Sequence, residues 1–202
     1  MTSNKVLLST TYFGPVQWYQ KLHRAEHVII EQWESFQKQT YRNRCLIATT
    51  NGVQTLTVPV EKSAECIKDL RISDHGNWRH LHWNALQSAY GESPFFEYYQ
   101  DDIRPFFERH WTFLLDFNEE IRQKMCELID IQPNVSYTEG FIPEESPLTS
   151  YRTAISPKHP QDDPDFLPKR YYQVYEQKHG FLPNLSILDL LFNMGPESIF
   201  LL

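Results

Sequence analysis

The first 30 positions contain a strand, a helix and a second strand in close succession, and this pattern restricts the fold most. Residues 6–11 have the pattern of a short strand, residues 16–25 that of a helix and residues 28–30 that of a buried strand. Pro15 suits the first turn of that helix. Because a helical crossover returns the chain in its original direction, the sequence predicts a βαβ unit with parallel strands.

Two further β-rich segments follow, Arg44–Thr49 and Gln54–Val60, on either side of Asn51-Gly52. Asn-Gly between two such segments is a strong hairpin signal. A short strand is predicted at residues 67–72. We therefore predict an α/β fold in which the N-terminal βαβ unit and the β-hairpin form a mixed sheet.

The second half of the chain is predicted to be helix-rich and to pack on that sheet. Residues 78–90 form the first of these helices, capped by Asn77, and Pro105 ends or kinks the next. The remaining predicted caps are Ser93, Asn118 and Ser186.

Size and composition favour one folded unit over residues 1–202. The chain has 41% hydrophobic and 22% charged residues, which is ordinary for a globular protein. Residues 143–168 are polar and rich in proline, and we predict that they form a long surface loop. The many aromatic rings are interpreted mainly as core residues.

The net charge and the lack of long apolar segments exclude several classes of partner. With 19 Lys and Arg against 26 Asp and Glu, the net charge is −7, which disfavours nucleic acid. No segment approaches the roughly 20 apolar residues of a membrane span, so we expect no membrane insertion and a cytoplasmic location. Three widely spaced cysteines predict free thiols, with no disulfide framework and no metal site. No cofactor is indicated.

The turn at Tyr12 and Phe13 is the first candidate for substrate binding. It links a strand to a helix start, and ligands in α/β sheets bind beyond the carboxyl ends of the strands. The free N–H groups of a helix start also attract anions. The alternative is an ordinary connection.

Arg42, Asn43 and Arg44 form a second candidate, together with Lys62 after the hairpin. The planar fork of arginine binds both oxygens of a carboxylate or phosphate. On a strand, Arg42 and Arg44 would face the same side. The alternative is a solvated cationic edge.

A third candidate combines Asp74 and His75 with His82. His75 lies in a turn before a helix, where a histidine can act as acid or base near neutral pH, and Asp74 would assist it. His82 shares a helical face with apolar residues, so it is either a core residue or a substrate contact.

Five segments of this sequence resemble the WbqC-like family. They are Tyr41–Cys45 with Val58–Lys62, Ile72–Trp78, His82–Ala85 and Gly180–Asn193. The resemblance covers nearly the whole chain and implies a role in bacterial surface-polysaccharide (O-antigen type) biosynthesis, with acyl or aminoacyl transfer to a sugar or nucleotide-sugar as the suggested reaction. Other members have a Gln-Pro-Tyr-Phe-like stretch where this chain has Thr10-Thr11-Tyr12-Phe13.

Three functions therefore remain open at this point. The first is a transferase that acts on a small-molecule sugar or nucleotide-sugar. The second is an adenylate-forming or nucleotidyl-transferring domain, suggested by the strand, turn and helix of residues 6–25. The third is a non-catalytic binding subunit of a glycan assembly complex.

Overall fold

The N-terminal βαβ unit is present as predicted. The computed structural model describes residues 4–61 and 64–202. Strand β1 spans Lys5–Ser9, helix α1 spans Val16–Arg24 and strand β2 spans His27–Glu31. β1 and β2 pair in parallel, with Val6 opposite Val28, so the crossover prediction is confirmed.

Two short strands from later in the chain complete a four-stranded parallel sheet in the order β5-β2-β1-β6. Strand β5, Val135–Tyr137, pairs with β2, and strand β6, Thr149–Ser150, pairs with β1. The segment 143–168 is therefore more than a surface loop, because β6 belongs to the sheet. The rest of that segment is irregular.

The predicted hairpin is also confirmed. Strands β3, Arg44–Thr49, and β4, Gly52–Thr57, are antiparallel, and Thr49 lies opposite Gly52. The hairpin forms a two-stranded sheet of its own and does not extend the parallel sheet. The second half of the chain is rich in helices. The predicted α/β class is therefore confirmed.

The helices agree with the predictions where local signals are strong. The helix of residues 78–90 has the predicted bounds, and Pro105 separates two helices. The Ser186 hydroxyl caps the last α-helix by accepting from the Leu188 N–H at 3.2 Å. The α-helices after α1 are α2 Trp78–Tyr90, α3 Phe96–Ile103, α4 Pro105–Glu108, α5 Leu114–Leu128, α6 Glu176–His179 and α7 Ile187–Met194. Short 3₁₀ helices span Ile67–Asp69, His75–Asn77 and Gly195–Leu201.

Four local predictions were wrong. The strand predicted at residues 67–72 begins as a 3₁₀ turn, and only its last two residues make isolated bridges. Asn77 has positive φ and makes no side-chain cap. Ser93 donates its hydroxyl to the Tyr90 carbonyl before α3 begins. Asn118 lies inside α5, where its Nδ2 donates to the Arg42 carbonyl at 2.8 Å; a tertiary contact occupies the side chain that was expected to cap.

The hydrophobic core joins the parallel sheet, the hairpin and the helices through aromatic rings. Phe13, for example, has no exposed surface and packs against Phe106 and Phe107. Ring-rich composition therefore reflects the core, as interpreted from the sequence. In the described part of the chain, no helix has the length and apolar character of a membrane span.

Candidate functional site

A cleft of about 690 Å³ beside the hairpin is the best candidate for a substrate site. Its volume falls within the range of small-molecule sites, which combine apolar walls with a few placed polar groups. Apolar walls come from Phe36, Val60, Ala64 and Leu70. The polar lining comes from Ser35, Lys38, Gln39, Asn43, Arg44, Thr57, Glu61 and Glu65.

One wall of the cleft is an extended segment that follows β2. The Ile67 N–H donates to the Glu34 carbonyl at 2.9 Å, and the Lys68 N–H donates to the Gln32 carbonyl at 3.1 Å. These bonds tie the segment after β2 to the 3₁₀ turn at Ile67–Asp69. The wall is therefore held by backbone contacts as well as by side chains.

Arg44 supplies a fixed cation to this cleft. It is the first residue of β3 and lies opposite Thr57, which also lines the cleft. Its Nε is buried and has no hydrogen-bond partner among the residues that the structure describes. Burial lowers the pKa of Arg44, but a guanidinium keeps its charge at neutral pH. The side chain therefore offers a donor for an anionic group.

Arg42, which was predicted to bind substrate, is engaged in an ion pair inside the protein. Its Nε and Nη2 donate to the two carboxylate oxygens of Glu34, at 2.8 and 2.6 Å, and Nη2 also donates to the Ser9 hydroxyl at 2.8 Å. The alternation of side chains expected on a strand does not apply to Arg42, because β3 begins only at Arg44. Arg42 does not line the cleft that Arg44 lines. Arg42 holds Glu34 and so positions the wall of the cleft.

Asn43 connects the cleft to Val58, the residue that directly follows β4. Its Nδ2 donates to the Val58 carbonyl at 2.8 Å, and its own carbonyl accepts the Val58 N–H at 2.8 Å. Its Oδ1 lacks a partner within residues 4–61 and 64–202. Lys62, the fourth predicted residue of this group, lies outside the described residues.

Asp74 and His75 lie elsewhere, on an exposed surface. Asp74 Oδ1 accepts from Arg79 Nη1 at 2.6 Å, and Oδ2 lies 3.4 Å from His110 Nδ1. The bond from Arg79 lowers the pKa of Asp74. Asp74, Arg79 and His110 share a shallow cleft of about 390 Å³ that His75 does not line. The structure thus gives Asp74 a different histidine neighbour from the predicted one.

Tyr12, Phe13 and His82 are buried in the core. The Tyr12 hydroxyl lies 2.8 Å from His82 Nδ1, and burial lowers the pKa of His82 to about 4. His82 is therefore neutral at pH 7 and its Nδ1 can accept the Tyr12 proton. None of the three lines the 690 Å³ cleft.

The helix start after Tyr12 and Phe13 is not open to an anion. The Val16 N–H donates to the Leu185 carbonyl at 3.0 Å, and the Gln17 N–H donates to Asn184 Oδ1 at 2.9 Å. The Trp18 N–H donates to the Pro15 carbonyl at 2.9 Å. The chain itself occupies the donors that the prediction assigned to a ligand.

A polar group at the carboxyl ends of β1 and β6 was not predicted from the sequence. Thr10 follows β1, and Arg152 follows β6. Arg152 is almost fully buried, and its Nη1 lies 3.5 Å from Glu31 Oε2. The signal available in the sequence was the pair of threonines after β1; Arg152 was hidden inside the segment predicted as a surface loop.

The three cysteines are free, and the described residues contain no group of three or more His, Cys, Asp or Glu that could hold a metal. Cys45 and Cys126 are buried and Cys66 is half-buried. Burial raises the pKa of Cys126 to about 11 and that of Cys45 further. No cysteine lines the 690 Å³ cleft.

Comparisons with known proteins connect this chain to others of similar sequence. It is 27% identical over 198 residues to the uncharacterised protein Rv1507c of Mycobacterium tuberculosis, covering 86% of this chain and 85% of that protein. No solved structure matches it significantly. The sequence model of the WbqC-like protein family matches residues 10–156 and 161–200, which is nearly the whole chain. The chain belongs to the WbqC-like protein family.

Proposed function

We propose that the protein is a cytoplasmic enzyme of bacterial surface-polysaccharide biosynthesis that binds a sugar or nucleotide-sugar in the 690 Å³ cleft. The reaction we propose is acyl or aminoacyl transfer to that sugar. The observation that carries the proposal is the position of Arg44, a partly buried cation with a free donor between apolar walls. Such a cation suits the phosphate or carboxylate of an activated sugar.

The rest of the cleft lining supports recognition of the same kind of ligand. Lys38 adds a second cation to the lining of the cleft, and the binding role of Lys62 stays a prediction from the sequence. The Phe36 ring offers an apolar surface for a sugar or base to lie against. Amide and carboxylate groups of the lining hydrogen-bond hydroxyl groups well.

A base for the transfer is proposed within the cleft. The carboxylates there are Glu61 and Glu65, both exposed to solvent. Either can accept a proton from a sugar hydroxyl when a substrate covers it. Asp74 and His75 do not enter this proposal, because neither lines the cleft.

Binding experiments with a matched pair of arginine variants test the proposal. Calorimetry with a panel of nucleotide-sugars that includes UDP-N-acetylglucosamine should identify a ligand. Arg44→Gln should weaken its binding about 10- to 100-fold, because a charge-assisted hydrogen bond contributes about 1.5–3 kcal/mol. Arg104→Gln is the control, because Arg104 makes an exposed ion pair with Glu108. Equal affinity of the two variants, or no binding to any sugar compound, contradicts the proposal.

The alternatives make different predictions in the same experiments. Nucleotidyl transfer is less well supported, because the backbone N–H groups at the start of α1 donate to other residues of the chain and are not free for a phosphate. A non-catalytic binding subunit would bind the sugar compound but give no product with acyl or aminoacyl donors. Product formation that disappears in Arg44→Gln and persists in Arg104→Gln distinguishes the enzyme from the binding subunit.

A further inference from the structure

A second polar chamber lies at the carboxyl ends of β1 and β6, apart from the cleft. Its lining includes Thr10, Arg42, Tyr151 and Arg152. Its volume is about 10 Å³, which is room for about one water molecule or one hydroxyl group. The chamber therefore suits the end of a ligand and not a whole ligand.

Its position in the sheet is the one where α/β proteins bind ligands. From β1 the chain runs to β2 and β5 on one side and later returns to β6 on the other side. The direction of strand order thus reverses between β1 and β6. Ligands of open α/β sheets bind beyond the carboxyl ends of the strands at such a reversal.

Residues that line the chamber carry polar atoms without partners. Thr10 is 1% exposed and Arg152 is 6% exposed. Thr10 Oγ1 and Arg152 Nη2 make no hydrogen bond to any described part of the chain. Buried polar atoms without partners reduce stability, so their presence in one chamber calls for an explanation. A ligand that supplies the missing hydrogen bonds is such an explanation.

The charged side chains around the chamber are paired. Lys21 Nζ, which lies 4.5 Å from the centroid of the Tyr151 ring, makes an ion pair with Asp163 Oδ2 at 2.7 Å. Arg42 is paired with Glu34, and Arg152 is paired more loosely with Glu31, at 3.5 Å. An anion entering here would meet both carboxylates as well as both guanidinium groups. A neutral hydroxyl group, in contrast, can accept from Arg152 and exchange a hydrogen bond with Thr10.

We propose that this chamber is a second binding site, which takes a hydroxyl group of a neutral sugar or polyol whose ring lies against Tyr151. Arg42 lines the chamber, whereas the next two residues, Asn43 and Arg44, line the cleft. This site goes beyond the ligand proposed for the cleft.

Nuclear magnetic resonance with D-glucose as the probe tests the site. Glucose at millimolar concentration should shift the backbone amide signal of Thr10 and the Nε–H signal of Arg152. Inorganic phosphate at the same concentration should leave both unchanged. No shift with glucose, or a larger shift with phosphate, overturns the proposal.

The variant Thr10→Val allows glucose affinity and melting temperature to be measured together, and a purely structural residue would not change them in opposite directions. The variant should bind glucose about fivefold more weakly, the loss of one hydrogen bond, and should melt at a higher temperature because it removes an unpartnered hydroxyl. Thr55→Val, at an exposed position of β4, should change neither. A Thr10→Val protein that melts lower and binds glucose unchanged would make Thr10 structural and overturn the site.

The two proposals fail separately. Loss of nucleotide-sugar binding in Arg44→Gln reports on the cleft alone. The response to glucose and the Thr10→Val variant report on the chamber alone.

Discussion

Arg42 and Glu34 form an ion pair with two parallel hydrogen bonds, of 2.8 and 2.6 Å, and both side chains are less than a tenth exposed. Arg42 lines the chamber, and the residues that follow the two partners, Ser35 and Asn43, line the cleft. The pair ties the segment after β2 to the chain just before β3. The Arg42–Glu34 pair therefore contributes to the shape of the cleft as well as to the stability of the fold.

Removing one partner of this pair should destabilise the protein strongly. Arg42→Gln leaves the Glu34 carboxylate buried without its cation, which typically costs about 3–5 kcal/mol. Urea denaturation followed by circular dichroism measures the loss. Arg104→Gln, at an exposed pair, should lose at most about 1 kcal/mol. If Arg42→Gln and Arg104→Gln lose similar free energies of unfolding, the buried pair does not stabilise the fold more than an exposed pair does.

His82 should make the protein less stable in mild acid. Burial lowers its pKa from 6.5 to about 4, so the unfolded chain binds a proton that the folded chain does not. Stability is then complete above pH 6.5 and falls as the pH drops toward 4, by about 3 kcal/mol in total.

Denaturation midpoints between pH 7 and pH 4.5 measure this dependence. His82→Gln should be less stable at pH 7, because it loses the contact with the Tyr12 hydroxyl, but its stability should depend less on pH. If the wild type and His82→Gln lose stability in parallel, a group other than His82 is responsible.

Local patterns predicted most of the fold because their causes are local. The βαβ unit follows from apolar periodicity, the hairpin from Asn51-Gly52 and the last α-helix from Ser186. Asn118 has an equally good capping sequence, but the structure uses its side chain to bind the Arg42 carbonyl. A single sequence does not reveal such a long-range partner.

The candidate site was predicted only in part, for a similar reason. Asn43 and Arg44 are neighbours in sequence and line one cleft. The chamber needs Arg152, which reaches β1 only because β6 pairs there through two residues. A strand so short has almost no periodicity to detect. His75 looked suitable because it is adjacent to Asp74, whereas the histidine near that carboxylate is His110.

Gly195 should tolerate alanine less well than Gly180 does. Both have positive φ, 54° and 72°, so alanine strains the backbone at each. A Cβ at Gly195 would also lie 2.5 Å from the Phe95 ring, whereas one at Gly180 would meet no atom within 4 Å.

We expect Gly180→Ala to cost about 1 kcal/mol from strain alone and Gly195→Ala to cost about 1–3 kcal/mol more from overpacking. Thermal and urea unfolding of the two variants provide the comparison. Equal costs would mean that the Phe95 ring moves aside freely.

Asp189 should destabilise the protein progressively as the pH rises. The side chain is fully buried in α7, and its carboxylate accepts from the Tyr90 hydroxyl at 2.8 Å, the Tyr171 hydroxyl at 2.7 Å and Gln173 Nε2 at 2.9 Å. No cation is among these partners, and burial raises its pKa above the ordinary 3.8. At a pH between the unfolded and the folded pKa, the folded state therefore retains a proton that the unfolded chain has lost.

Because the folded pKa is the higher one, the stabilising effect of the proton is complete below pH 3.8 and declines as the pH rises through the folded value. Asp189→Asn has no such proton to lose. It exchanges one accepting oxygen for a donor, so it should be less stable than the wild type at pH 4.

The difference between Asp189→Asn and the wild type should then shrink as the pH rises to 8. Urea unfolding of both proteins across this range measures it. Asp116→Asn, an exposed position in the first turn of α5, serves as the control and should show no such convergence. A constant difference between Asp189→Asn and the wild type would mean that the three hydrogen bonds keep the Asp189 carboxylate ionised as readily as it is in water.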